Sequence, residues 1–237
     1  MAARYNTEGR PELTKFLSAL DYGGAEHQER RDHLWKSWDQ NANGWLSLAE
    51  VDDAIKSTVL TDLRKGGDKE AKTSSEAIWR RYRPSYIRAF NNAKDAHAGA
   101  DKRDDDYVSK HEFRLLICYL RYYAMWFEVF MVVDTSSDGT AESDADYSDR
   151  RIDPTEWKKG AAKVRAAGSS WAPFVAFKKC AADDFAKIDT NKGGYISITE
   201  FCAWAERAEK KAGTAVGKEL AVGDGRKKKS SSICSVM

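Results

Sequence analysis

A chain of 237 residues, 32% of them charged, with a formal net charge of +2, has no bulk excess of either sign, which speaks against a general polyanion or nucleic-acid binder. Its length suits one large core or two modest ones, and two lobes are expected. Of the four cysteines, Cys118, Cys180 and Cys202 lie in apolar helical surroundings and Cys234 near the C-terminus; they share no metal-ligand spacing, the pattern of free thiols in a reducing compartment. No apolar run of signal-peptide length opens the chain and position 2 is Ala, so neither secretion nor N-myristoylation is expected.

In chain order, residues 1–28 read as an N-terminal extension. A repeated unit follows: an apolar helical stretch, an acidic polar loop, one aliphatic residue, and a Glu opening the next helix. The glutamates are Glu50, Glu112, Glu156 and Glu200, and the aliphatic residues four places before them are Leu46, Val108, Ile152 and Ile196. This predicts an all-α protein of two EF-hand pairs, residues 29–122 and 123–211. Leu46 is expected to pair with Val108, and Ile152 with Ile196, through short extended segments.

The first loop, 39–50, meets the demands of a hard cation that wants six to eight oxygens. Asp39, Asn41 and Asn43 offer side-chain oxygens at positions 1, 3 and 5, Gly44 permits the turn at 6, the Trp45 carbonyl stands at 7, Ser47 at 9 and the Glu50 carboxylate at 12. Around it, Leu34, Trp35 and Trp38 lead in, and Val51, Ala54, Ile55 and Val59 lead out at helical spacing. Residues 61–75, with Gly66-Gly67 and mixed charge, read as an exposed connection. The second loop, read back from Glu112, has Arg103 at position 3 and Asp106 where Gly is wanted, so it is expected to be structural.

Residues 113–133 are apolar enough to be mistaken for a membrane span, but Arg114, Arg121 and Glu128 recur every seven residues and stack into one polar stripe. Each charge costs about 2.5–3.5 kcal/mol at the centre of a bilayer helix, so a core helix with one wet edge is expected instead. The third loop begins with Asp134, Ser136 and Asp138 and ends at Glu156, with an insert of extra residues between the halves; the ligands can converge only if the insert loops out. In the fourth loop, 189–200, Asp189, Asn191, the Tyr195 carbonyl, Ser197 and Glu200 fall into place, while Gly193 at position 5 has no side-chain oxygen. Phe177, Ala181, Phe185 and Ile188 lead into it, and Phe201, Trp204, Ala205 and Ala208 lead out. The first and fourth loops each bring two carboxylates, which predicts calcium affinity of micromolar order or weaker, suited to a sensor.

From about residue 212 Gly, Lys and Ser replace the apolar period, so 212–237 is expected to be a disordered tail. It carries Arg226, Lys227, Lys228 and Lys229, then Cys234-Ser235-Val236-Met237, a C-a-a-X ending of the farnesyl type. One lipid chain gives marginal, reversible membrane binding and a basic run strengthens it. The expected partners are therefore the inner leaflet of a membrane and a protein target, with no nucleic acid. No Ser/His/Asp order, phosphate-binding Gly loop or zinc spacing points to an enzyme; His27, His33, His97 and His111 are scattered.

The run Glu112-Phe113-Arg114-Leu115-Leu116-Ile117-Cys118-Tyr119-Leu120, with Phe185 to Asn191 and Glu200-Phe201-Cys202-Ala203-Trp204-Ala205, resembles the flagellar calcium-binding proteins of kinetoplastids, the calflagins. The resemblance spans roughly residues 30–206 and implies a four-EF-hand calcium sensor on the inner face of a flagellar membrane, held there by lipid. It further implies ions at the third and fourth hands, on Asp134, Ser136, Asp138 and Glu156, and on Asp189, Asn191, Ser197 and Glu200. This chain departs from the family in lacking an N-terminal Gly and Cys for dual acylation, in splitting its third loop, and in its prenylation ending. The alternative reading is a calcium-independent, membrane-tethered scaffold of degenerate EF-hands.

Overall fold

The structure, a computed structural model, describes residues 10–18, 20, 27–64, 69–96, 106–134 and 150–221. The chain is all-α. Its described elements are α1 (Pro11–Ser18), α2 (Gln28–Trp38), β1 (Trp45–Leu46), α3 (Leu48–Arg64), α4 (Lys69–Lys94), β2 (Val108–Ser109) and α5 (Lys110–Asp134), then β3 (Arg151–Ile152), α6 (Pro154–Ser170), α7 (Val175–Lys179), α8 (Phe185–Ile188), β4 (Ile196–Ser197), α9 (Ile198–Ala212) and α10 (Ala215–Ala221). The strands are two-residue ladders that join loops in pairs. β1 runs antiparallel to β2 with Leu46 opposite Val108, and β3 to β4 with Ile152 opposite Ile196, the register that the repeat predicts. All four aliphatic residues are fully buried, so each ladder is fixed by a shared apolar contact as well as by backbone hydrogen bonds.

α5 is the spine. It leaves the second loop, packs most extensively on α4 and also on α6 and α9, and ends at the third loop. A division of the chain at 122/123 therefore falls inside a helix that serves both pairs. The helix is long and apolar enough to cross a membrane, yet 89% of that apolar window is buried inside the protein. Its charged stripe is half-exposed at Arg114 and Arg121, the expected wet edge, and buried at Glu128. The Glu128 carboxylate is 6% exposed and accepts from Arg81 Nε (2.8 Å), Arg81 Nη2 (3.0 Å) and Tyr82 Oη (2.7 Å) on α4, while Arg114 donates to the Glu219 carbonyl on α10 (2.9 Å). The buried charge at Glu128 is tolerated because Arg81 and Tyr82 of α4 meet it. Sequence spacing places the stripe but cannot name partners so far along the chain.

Two further expectations are corrected. Within 61–75, residues 61–64 belong to α3, which runs to Arg64, and 69–75 to α4, which begins at Lys69; the charged, Ala-containing sequence on either side of Gly66-Gly67 supports helix better than loop, and 65–68 lie outside the described residues. The stretch from 212 contains α10, seated by buried Val216 and Leu220. In the N-terminal extension, α1 buries Leu13, Phe16 and Leu17, with Phe16 against Tyr82 (centroids 4.9 Å apart) and Arg10 over the Trp171 ring (3.9 Å).

The thiols of Cys118, Cys180 and Cys202 are free and buried. Desolvation pushes Cys118 and Cys180 up to about 11 and Cys202 higher still, so all three stay protonated and unreactive.

Between α3 and α4 the Asp52 carboxylate accepts from Trp79 Nε1 (3.0 Å), pairs with Lys56 Nζ (2.9 Å) and takes the Tyr86 hydroxyl. Burial opposes its ionisation, but the bonds from Tyr86, Lys56 and Trp79 outweigh it and lower its pKa. Burial and the same carboxylate raise the Tyr86 phenol far above its usual range, which keeps it a donor. A carboxylate with a depressed folded-state pKa stabilises the fold above its unfolded pKa of about 3.9, and that stability is lost as pH falls through the folded value. Asp52→Asn is expected to cost about 1–2 kcal/mol at pH 7 and much less at pH 3. Urea denaturation of both proteins at the two pH values checks it.

Candidate calcium sites

Each candidate loop is bounded by the helices that carry its first and last ligands. Asp39 follows α2, whose Trp35 and Trp38 are buried and meet the Phe113 ring edge-on at 5.2 and 5.3 Å. Asp189 follows α8, anchored by buried Ile188. At the other end, Glu50 lies in the first turn of α3 and Glu200 in the first turn of α9.

The first and fourth loops share one conformation. Asp39 Oδ1 and Oδ2 accept from the backbone N–H groups of Asn43 (3.1 Å) and Gly44 (3.0 Å); Asp189 does the same with Gly193 and Gly194 (both 3.0 Å). Position 4 is left-handed in each, Ala42 at φ +54° and Lys192 at +59°, and Gly44 and Gly194 at position 6 both stand at +83°. At +83° a side chain is strained, which is why glycine occupies that turn. Asn41 Oδ1 turns inward to the Asn43 N–H (2.9 Å), as Asn191 Oδ1 does to Gly193 (2.7 Å), and Asn43 Oδ1 accepts from Trp45 N–H (2.8 Å).

Glu50 and Glu200 close the loops. Oε2 of Glu50 accepts from Ser47 N–H (2.9 Å) and Oγ (2.8 Å), and Oε1 accepts from Asn41 Nδ2 (2.8 Å) across the loop. Glu200 Oε2 accepts from Ser197 N–H (3.1 Å) and Oγ (2.8 Å), while Oε1 reaches Thr190 N–H (3.0 Å) and Asn191 N–H (3.2 Å). Burial opposes the charge on Glu200, but these bonds prevail and lower its pKa. The carboxylate is held ionised beside the other oxygens. Among the described residues no three His, Cys, Asp or Glu side chains gather; the converging atoms are two carboxylates with amide, hydroxyl and carbonyl oxygens, a donor set that fits a hard cation.

The same Ser and Glu form a capping box. Ser197 N-caps α9, accepting from Glu200 N–H, and Glu200 bonds back to Ser197 N–H. The device recurs at every loop: Glu50 N–H donates to Ser47 Oγ (3.2 Å), Glu112 Oε2 accepts from Ser109 N–H and Oγ (both 2.8 Å), and Asp153 caps α6 with Glu156. Capping gives Glu112 a role independent of any ion. Asp153, a carboxylate at position 9 of the third loop, was not singled out from sequence; its place three residues before Glu156, matching Ser197 before Glu200, is the signal that finds it.

In the third loop Asp134 and Glu156 are buried, 5% and 7% exposed, and Arg151 of β3 lies over the Tyr195 ring of the fourth loop at 4.4 Å. Ser136 and Asp138 lie outside the described residues, as do Arg226, Lys227, Lys228, Lys229 and Cys234.

A family model for the FCaBP EF-hand domain matches residues 21–120. The chain is 30% identical over 183 residues, 76% of its length, to flagellar calcium-binding protein TB-17 of Trypanosoma brucei brucei. The chain has the EF-hand fold, and its residues 21–120 are similar to the domain of the flagellar calcium-binding proteins. It is likewise 30% identical to TB-44A of Trypanosoma brucei brucei and 27% identical, over 182 residues, to the flagellar calcium-binding protein of Trypanosoma cruzi. The matched segment spans 64% of TB-17, 37% of TB-44A and 71% of the Trypanosoma cruzi protein.

Gly193 marks the difference between the first and fourth loops, the two described in full. A Cβ there would meet Asn191 Oδ1 at 2.7 Å, the far end of a side chain that can give way. Gly193→Asp adds a third carboxylate and is expected to tighten calcium at the fourth loop about tenfold, some 1.4 kcal/mol, measured by isothermal titration.

Proposed function

We propose that this chain is a calcium sensor that binds one ion in the first loop and one in the fourth, associated with a flagellar membrane. One observation carries the reading: the two loops repeat the same cradle, with Asp39 and Asp189 holding the turn, Gly44 and Gly194 both at φ +83° and Glu50 and Glu200 closing it. Bound calcium supplies a fixed double positive charge. The chain's own part is to aim oxygens from Asp39, Asn41, Asn43, Trp45, Ser47 and Glu50, and from Asp189, Asn191, Tyr195, Ser197 and Glu200. The names of the relatives support both calcium and the flagellum. Attachment through prenylated Cys234 and the Arg226–Lys229 run rests on sequence alone.

Isothermal titration of the full chain tests the reading, with Trp45 emission as a local reporter of the first loop. The expected result is two ions at micromolar order or weaker. A flat titration to millimolar calcium would leave the tethered scaffold as the function.

A further inference from the structure

The aromatic residues that a sensor could show to a partner are covered. Trp35, Trp38, Trp126, Trp157 and Trp171 are buried, and Tyr107 is the one exposed large hydrophobic side chain among the described residues. A covering element of the second pair is α10, and it is fastened at a defined point. α9 ends where Gly213 turns left-handed at φ +62° and donates to the Lys210 carbonyl (3.1 Å), which folds the chain back on itself. Gly217 then lies so close to α9 that a Cβ would meet the Glu209 carbonyl oxygen at 2.2 Å and its carbon at 2.5 Å. From above, α10 is tied to α5 by Arg114 and Tyr122, both bonded to Glu219.

Glu209 is the knot. Only 2% exposed, it accepts the Val175 N–H on Oε1 and the Thr214 hydroxyl on Oε2, and Thr214 Oγ1 in turn accepts from Gly217 N–H (3.0 Å). Val175 opens α7, which is followed by a 3-10 turn at Ala182–Asp184 and α8 on the way into the fourth loop, and Glu209 lies in the last turn of α9, which leaves it. The contact therefore joins the two arms of one helix–loop–helix unit at the end away from its ion cradle. When such a unit opens, the angle between its arms changes and contacts that join them are lost.

We propose that Glu209 is a clasp that holds the fourth unit closed with α10 seated on it, so that opening of the unit frees α10. The coupling rests on calcium binding at the fourth loop; the clasp itself does not. Glu200 and Glu209 ride on the same α9, so an ion that reorients α9 at Glu200 pulls at Glu209. The basic run and Cys234 follow α10 in the chain, which places the latch between the cradle and the anchor. Because the closed, clasped state must be left before the ion is fully held, the clasp lowers apparent affinity at this site.

The test uses the full chain carrying Glu50→Gln, so that calcium is read at the fourth loop, with Gly217→Ala, Glu209→Gln or Thr214→Val added. Amide hydrogen exchange over 213–221 and isothermal calcium titration are measured on each. Gly217→Ala pushes α10 off α9 through backbone atoms, and the near-isosteric Thr214→Val removes the hydroxyl that donates to Glu209 and accepts from Gly217 N–H. The expected result is at least tenfold faster exchange over 213–221 without calcium, together with three- to tenfold tighter calcium binding. Faster exchange with unchanged affinity would overturn the coupling, and unchanged exchange in all three variants would overturn the clasp. If the starting protein takes up no calcium, the sensor reading fails, while exchange still decides whether Glu209 fastens α10.

Discussion

Phe201→Ala is expected to lower stability by about 3–5 kcal/mol, the cost of deleting a fully buried aromatic side chain and leaving a cavity. Phe201 is 0% exposed and follows Glu200 directly, so its ring ties the start of α9 to the rest of the second pair. It stacks on Phe177 of α7 with centroids 5.5 Å apart, and meets Phe130 of α5 at 5.6 Å and Trp204 at 5.5 Å. Four helices of the core thus meet at one ring, since Trp157 of α6 also lies within 6.5 Å. Close-packed aromatic surroundings relax little, which places the cost in the upper part of that range. Chemical denaturation of the two proteins without calcium measures it. The same variant is expected to weaken the fourth loop, because Glu200 is aimed by the helix that Phe201 anchors; a loss below 1 kcal/mol would show that α9 is held elsewhere.

Local spacing explains what sequence could reveal of this fold. The candidate ligands of the first and fourth loops fall within twelve residues each, and the aliphatic residue before each Glu marks a ladder whose register, Leu46 with Val108 and Ile152 with Ile196, follows from the repeat. Long-range partnership was not legible. Nothing near Glu128 in the chain says that Arg81, 47 residues away, will meet it, nor that Arg114 will find a carbonyl 105 residues on. α10 escaped notice because seven residues with two apolar anchors, Val216 and Leu220, barely show a period. Residues 61–75 misled for a related reason: paired glycines signal a connection, but the residues on both sides of them, 61–64 and 69–75, are helical. The capping role of Glu50, Glu156 and Glu200 was hidden behind their candidacy as ligands, since both use the same carboxylate at the same position.

Glu50→Gln and Glu200→Gln separate those two roles. Each substitution removes one of the two carboxylates from its cradle, and losing a charged ligand at a cost of about 1.5–3 kcal/mol weakens binding roughly 10- to 150-fold. Titration of either variant is expected to lose one ion at micromolar calcium, and the double variant both. Their effects on the calcium-free fold differ. Around Glu200, Oε1 faces the Thr190 and Asn191 N–H groups and Oε2 faces the Ser197 N–H and hydroxyl, so a glutamine must turn its NH2 toward a donor whichever way it points. That costs about 1–3 kcal/mol. Around Glu50, Oε1 faces the Asn41 amide, whose own oxygen can rotate to accept from a glutamine NH2, and the expected loss is below 1 kcal/mol. The bonds that lower the pKa of Glu200 also make its share of stability fade as pH falls through the folded-state value. Glu200→Gln is therefore expected to unfold more easily than the parent at pH 7 and to approach it at pH 3. Equal losses for the two variants at pH 7 would mean that the crossing contacts of Glu200 add nothing to the calcium-free fold.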